Sequence, residues 1–161
     1  GQLYQIPATA GVVAERIREA IGGEVPLAIK IGSMTDRVQA ERLIECLHPF
    51  VNGLVMTNSI SARVQALDGR LMFEGHPRGI CGDAIRQASV AQVTMFRELI
   101  DASPDCQLSV IGVGGVSTLD HVNSYLSAGA ECVGLATAAM LNPRLGLDLR
   151  RELYSQTHSQ P

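Results

Sequence analysis

Lys30 stands between Ile29 and Ile31 in the apolar stretch PLAIKIG, residues 26–32. An ammonium in such a stretch loses its hydration unless an anion receives it or its stem reaches water. The first case makes Lys30 a partner for negative charge; the second makes it an ordinary strand-end lysine. Asn58, in Thr57-Asn58-Ser59, carries a donor and an acceptor side by side, which suits a planar heterocycle, although the same tripeptide also suits a turn. Gly114 and Gly115, in IGVGGVST, follow an apolar run and precede a helical pattern. Adjacent glycines there permit positive φ and let an anion approach backbone N–H groups, or they form a plain tight turn. Ala136 and Thr137 close a second run, AECVGLATA, in a similar way. A cation, an amide and two clusters of N–H groups are the chemistry of a phosphorylated ligand with a polar ring.

Four apolar runs must position these residues: 26–32, 51–58, 106–115 and 130–138. They are nearly continuous, as parallel strands covered on both faces are. Helical periodicity separates them. Val13, Ile17 and Ile21 form one stripe, Val38, Leu43 and Leu47 a second, and Val90, Val93, Phe96 and Ile100 a third. A fourth helix ends at Gly129 and a fifth opens at Pro143. A leading helix followed by four strand–helix units predicts right-handed crossovers and a parallel sheet. The class is α/β, either an open doubly wound sheet or part of a (β/α)8 barrel. A full barrel takes about 250 residues, so one domain spanning residues 1–161 with four strands corresponds to half of one. In either case ligands gather at the carboxyl ends of the strands, where all these residues fall.

The connection 59–86 is too long for a plain strand–helix turn and reads as a binding loop, with Asp68-Gly69 turning a small hairpin inside it. Residues 156–161 lack an apolar anchor and read as a disordered tail. Hydrophobic residues make up 46% and charged ones 18%, with a net charge of −3. The basic residues are scattered, aromatics are only 4% and Trp is absent, which argues against nucleic acid as a partner. The four cysteines show no Cys-x-x-Cys or Cys/His cluster, so no metal site is expected and the chain suits a reducing cytoplasm. Cys46 and Cys132 are expected to be buried thiols, and Cys81 a loop residue. None of the four histidines has a Ser or carboxylate at catalytic spacing. No apolar run reaches the roughly 18 residues of a transmembrane helix, and no signal peptide is evident.

Taken in order, Lys30, Thr57-Asn58-Ser59, GICG (79–82), GVGG (112–115) and AGA…ATA (128–138) resemble the carboxyl-terminal half of the dihydroorotate dehydrogenases. The family's members are FMN-dependent (β/α)8-barrel enzymes of pyrimidine biosynthesis that oxidise dihydroorotate to orotate. The resemblance implies that Lys30 contacts the flavin and that Asn58 binds the pyrimidine ring. Ser59 would lie on the substrate side and Thr57 on the cofactor side. Gly82, within the segment 78–82, would lie near the flavin. Gly112, Gly114, Gly115, Ala136 and Thr137 would seat its phosphate. Ala136 stands where the family usually has glycine, and Cys81 where it usually has serine. The family's catalytic base lies on a segment that would precede Gly1, so no residue here is assigned that role. The expected partner is an amino-terminal half-barrel or a second copy, and the substrate is dihydroorotate or a related dihydropyrimidine. Two alternatives are a half-barrel holding another phosphorylated metabolite and a non-catalytic, self-associating half-barrel.

Overall fold

The computed structural model describes residues 6–158. Helix α1 (Pro7–Ile21) is started by a proline in its first turn and stopped by Gly22 at φ +73°. Four parallel strands follow, β1 (Ala28–Lys30), β2 (Gly53–Met56), β5 (Ser109–Val113) and β6 (Cys132–Gly134), adjacent in that order. Helix α2 (Arg37–Leu47) joins the first two, and Asp36 caps it by accepting from the Val38 and Gln39 N–H groups. Helix α3 (Arg86–Asp101) leads from the second to the third, and α4 (Leu119–Ser127), capped by Thr118, from the third to the fourth. Two helices close the described chain, α5 (Thr137–Leu141) and α6 (Leu145–His158). The tail expected from 156 onward is helical as far as His158; residues 159–161 lie outside the described residues.

Register sorts the strand residues into two faces, because neighbouring side chains alternate. Ile29, Leu54 and Val110 lie side by side in one row and are at most 5% exposed. They pack with Leu43, Leu47, Val93, Phe96 and Ile100 of α2 and α3 in a single apolar core. The next row is Lys30, Val55, Ile111 and Cys132. Its end members are exposed and its middle members half-buried. The sequence suggested strands covered on both faces; only one face is covered among the described residues. Cys132, expected to be buried, is exposed because β6 ends the sheet. All four cysteines are free thiols.

The helix stripes hold with shifts. Val93, Phe96 and Ile100 are buried as the periodicity predicts, but Val38 is exposed and α2 buries Ala40 and Ile44 beside Leu43 and Leu47. In α1 the buried face is Ala10, Gly11 and Ala14. Small residues serve there because α1 lies close against α2: a Cβ on Gly11 would sit 3.1 Å from the Cys46 carbonyl oxygen. The short helix α5 was not expected; it takes up Thr137 and Ala138, the last residues of the run 130–138, and separates β6 from Pro143.

The 59–86 connection is not a loose loop. Strands β3 (Ile60–Ala62) and β4 (Arg78–Ile80) pair antiparallel at its base. Further out, Gln65 bridges Leu71, and the chain reverses through a turn in which the Gly69 N–H donates to the Ala66 carbonyl. Gly69 adopts φ +82°, and Asp68 accepts from the Arg70 N–H, as the predicted Asp-Gly turn requires.

Candidate active site

Beyond the row of Met56, Gly112 and Val133, the strand ends at Thr57, Val113 and Gly134 border a cavity of about 290 Å³. It lies at the carboxyl ends of the strands. Of the residues singled out by sequence, Lys30, Thr57, Asn58, Gly82, Gly114, Gly115, Ala136 and Thr137 all line it. Ser59 is not among the lining residues; it packs at the ribbon base, where a Cβ on Gly79 would lie 3.2 Å from its Oγ. Lys30 ends β1 at the sheet edge, with its side chain exposed while Ile29 and Ile31 are buried.

Backbone hydrogen bonds fix the strand ends relative to one another. The Asn58 N–H donates to the Ile31 carbonyl at 3.0 Å, and the Thr57 N–H to the Val113 carbonyl at 2.8 Å. Thr57 is 1% exposed, and its hydroxyl donates to Gln92 Oε1 at 3.0 Å. Cys81, exposed at the cavity wall, points its thiol at the Asn58 carbonyl, 3.7 Å away.

Each glycine of the GVGG segment has its own reason. Gly112 makes room for Tyr125: a Cβ would fall 2.3 Å from its ring. That ring carries its hydroxyl to the Gly114 carbonyl, 2.8 Å away. Gly114 and Gly115 adopt φ +139° and +66°, which an L side chain resists. At Gly115 a Cβ would also lie 2.7 Å from Asp83 Cα and 2.9 Å from the Gly82 carbonyl oxygen. The pair therefore lets the turn at 82–86 close onto the end of β5. Gly112 serves the helix-covered side and does not line the cavity, whereas Gly114 and Gly115 do.

Polar side chains missed by the sequence reading come from behind. Ser89 of α3 is fully buried and donates to the Val113 carbonyl at 2.7 Å. Gln92, 4% exposed, bonds to three groups at the ends of β1 and β2. Both occupy the apolar face of α3 between Val93 and Ile85, and a polar residue at a core position of a helix was the available signal. Ser117, on the cavity wall, lies 3.3 Å from His121 Nδ1, an i,i+4 pair that the histidine survey passed over.

Two titrating groups are shifted. The Arg86 guanidinium, bonded to Asp83 at 2.8 Å, and its charge hold the Asp83 carboxyl below its ordinary value. Burial pushes the Tyr125 phenol up, against smaller opposite effects from Ser89 and Arg86. Among the described residues no cluster of three His, Cys, Asp or Glu forms a metal site, and no helix is long and apolar enough to cross a membrane.

Residues 5–156 match the family model described as dihydroorotate dehydrogenase. The chain belongs to the dihydroorotate dehydrogenase family. It is 27% identical to the catalytic subunit of dihydroorotate dehydrogenase B (NAD(+)) of Staphylococcus carnosus, over 94% of this chain and 52% of the relative. It is 30% identical to the dihydroorotate dehydrogenase (quinone) of a Marinomonas species, over 96% of this chain and 42% of that one. The chain thus spans about half the length of the curated relatives it matches. The crystal structure of the Eimeria tenella enzyme, described as DHODH in complex with ferulenol, aligns with a TM-score of 0.65 at 17% identity. That alignment covers 94% of this chain and 43% of the other. At that identity the likeness speaks for the fold: four parallel strands and their helices are part of a (β/α)8 barrel. In a (β/α)8 barrel the helices ring the outside, so the sheet face that they leave uncovered is the one turned inward.

Proposed function

We propose that this chain carries the flavin-holding half of a dihydroorotate dehydrogenase, acting with FMN in the oxidation of dihydroorotate to orotate. The observation that carries the reading is the convergence of Lys30, Asn58 and the turn at Gly114-Gly115 on one cavity with the start of α5.

The donor set fits FMN. The backbone around Gly114–Val116 and Ala136–Ala138 offers N–H groups to a phosphate, while Lys30 and Asn58 offer a cation and an amide to a polar ring. Gly82, at φ +75°, lines the same cavity beside Thr137, whose side chain would lie 3.9 Å from a Cβ placed there. Bound there, the flavin supplies the hydride acceptor. Lys30 stabilises negative charge beside the ring, and Asn58 orients the substrate pyrimidine. Gly114, Gly115, Ala136 and Thr137 seat the phosphate, with Ala136 donating through its backbone as a glycine would. Thr57 supports the wall, its hydroxyl proton engaged by Gln92. Proton abstraction from the substrate is assigned to the part of the relatives' length that this chain does not span. The exposed edges β1 and β6 are where the remaining strands of a barrel would pair. A half-barrel holding some other phosphorylated metabolite gives Lys30 and Asn58 no joint task.

The test is incubation of the purified chain with FMN, alone and with an amino-terminal half from a relative, followed by desalting and a visible spectrum. Retained flavin absorbance that Lys30→Ala weakens or shifts is the expected result. Colourless protein in both cases, with Lys30→Ala changing nothing, would sink the reading.

A further inference from the structure

We propose that Gln92 is a positioning residue of this cavity: it holds Thr57 and the β1–α2 loop in one arrangement, so that Lys30 and Asn58 keep a fixed relation. The ligand used to test it rests on the flavin reading above; the arrangement itself does not.

Gln92 sits on the face of α3 that otherwise contributes Val93, Phe96 and Ile100 to the core, and it is 4% exposed. A buried amide is costly unless satisfied, and an aliphatic side chain would serve the packing of α3 as well. The three hydrogen bonds of Gln92 all go to the strand ends. Its Oε1 accepts from the Met34 N–H at 3.1 Å and from Thr57 Oγ1 at 3.0 Å, and its Nε2 donates to the Gly32 carbonyl at 2.9 Å. A backbone donor on one side and a backbone acceptor on the other fix which way the amide faces, since a flipped amide would oppose both.

The three bonds join two segments that β-pairing does not lock at this level. Gly32 and Met34 belong to the loop that follows Lys30, and Thr57 immediately precedes Asn58. The last backbone link between them is the Asn58 N–H on the Ile31 carbonyl. Beyond it the ladder ends and Gln92 takes over. The side chains that face the cavity therefore depend on a residue that is not among its lining residues.

Two variants test this. Gln92→Met keeps the length and removes all three bonds. Gln92→Glu keeps both acceptor contacts but sets an oxygen against the Gly32 carbonyl, except when the carboxyl is protonated, the form that burial favours. FMN affinity is measured by flavin fluorescence titration. Amide hydrogen exchange at Met34 and Asn58 is measured without ligand. Both are done below the onset of melting, with folding checked by circular dichroism.

The expected result for Gln92→Met is FMN binding weaker by about tenfold with faster exchange at both Met34 and Asn58. Gln92→Glu should match the parent at low pH and lose affinity as its carboxyl ionises, over a range where the parent does not change. Folded Gln92→Met with unchanged FMN affinity overturns the proposal, as does faster exchange at Met34 while Asn58 stays protected. A parent chain that binds no FMN counts against the flavin reading only, and the exchange pattern then decides the role of Gln92.

Discussion

The two faces of the sheet are made by the same strands, one residue out of step, and they are covered in opposite ways. Ile29, Leu54 and Val110 meet α2 and α3 and lose nearly all contact with water. Lys30, Val55, Ile111 and Cys132, each the very next or an adjacent row member, look onto the open side and keep it. The covered face holds the fold together and the open face is left to chemistry. A polar residue such as Lys30 can be placed on the second without disturbing the first because alternation along a strand separates them completely.

The sharpest way to break this contrast is to truncate one residue from each side. Phe96→Ala, on the covered side, should cost about 3–5 kcal/mol, whereas Ile111→Ala on the open side should cost about 1–2 kcal/mol. Urea denaturation measures both. Equal losses would mean that something covers the open face in the folded protein.

Next in size is Gly115→Ala, at the rim where the faces meet. Its Cβ would collide with the turn at 82–86 and sit at an unfavourable φ, so a loss of about 2 kcal/mol is expected. Gly69→Ala has no such neighbours, though it shares a positive φ, and should cost less. Comparing the two by thermal melting separates backbone strain from collision.

The smallest effect belongs to Tyr125→Phe. It removes the hydroxyl from the Gly114 carbonyl, at about 1 kcal/mol. Because the phenol's folded value is raised above its ordinary 10.0, its contribution is complete below that pH. It is lost as pH rises through the raised value, since the unfolded chain ionises first. Parent and variant stability should therefore converge in alkali, and a gap that widens there would contradict the assignment.

Much of this arrangement was legible in the residue order. The four strands, their parallel pairing and the convergence of Lys30, Asn58, Gly114 and Thr137 follow from apolar runs that end in polar or glycine residues. What was not legible is what depends on partners far apart in the chain. The requirement for glycine at 112 comes from Tyr125, and at 115 from Asp83 and Gly82. The glycines read as room for a phosphate are, in the first instance, room for other parts of the protein. Val38 and Val13 belonged to clear stripes, yet smaller alanines won the interface because α1 and α2 approach so closely. Ser89 and Gln92 were passed over because a polar residue on a helix gives no local sign of the backbone groups it will meet. The Asp68-Gly69 turn of the ribbon was legible, but its base strands β3 and β4 were not, because they are only three residues each and half-exposed, too short for a period to show.

That ribbon has an evolutionary consequence. Among the described residues, no side chain between 60 and 80 belongs to the buried core. The ribbon leaves the end of β2 at Asn58 and returns at Gly82 to the turn that opens α3, and both of these residues border the cavity. Because halving or doubling a connection changes its closure cost by only about 0.6 kcal/mol, the insert is free to lengthen, shrink or be exchanged without a stability penalty at the barrel wall. It behaves as a cassette: descent can rewrite the ribbon while leaving the residues that line the cavity in place.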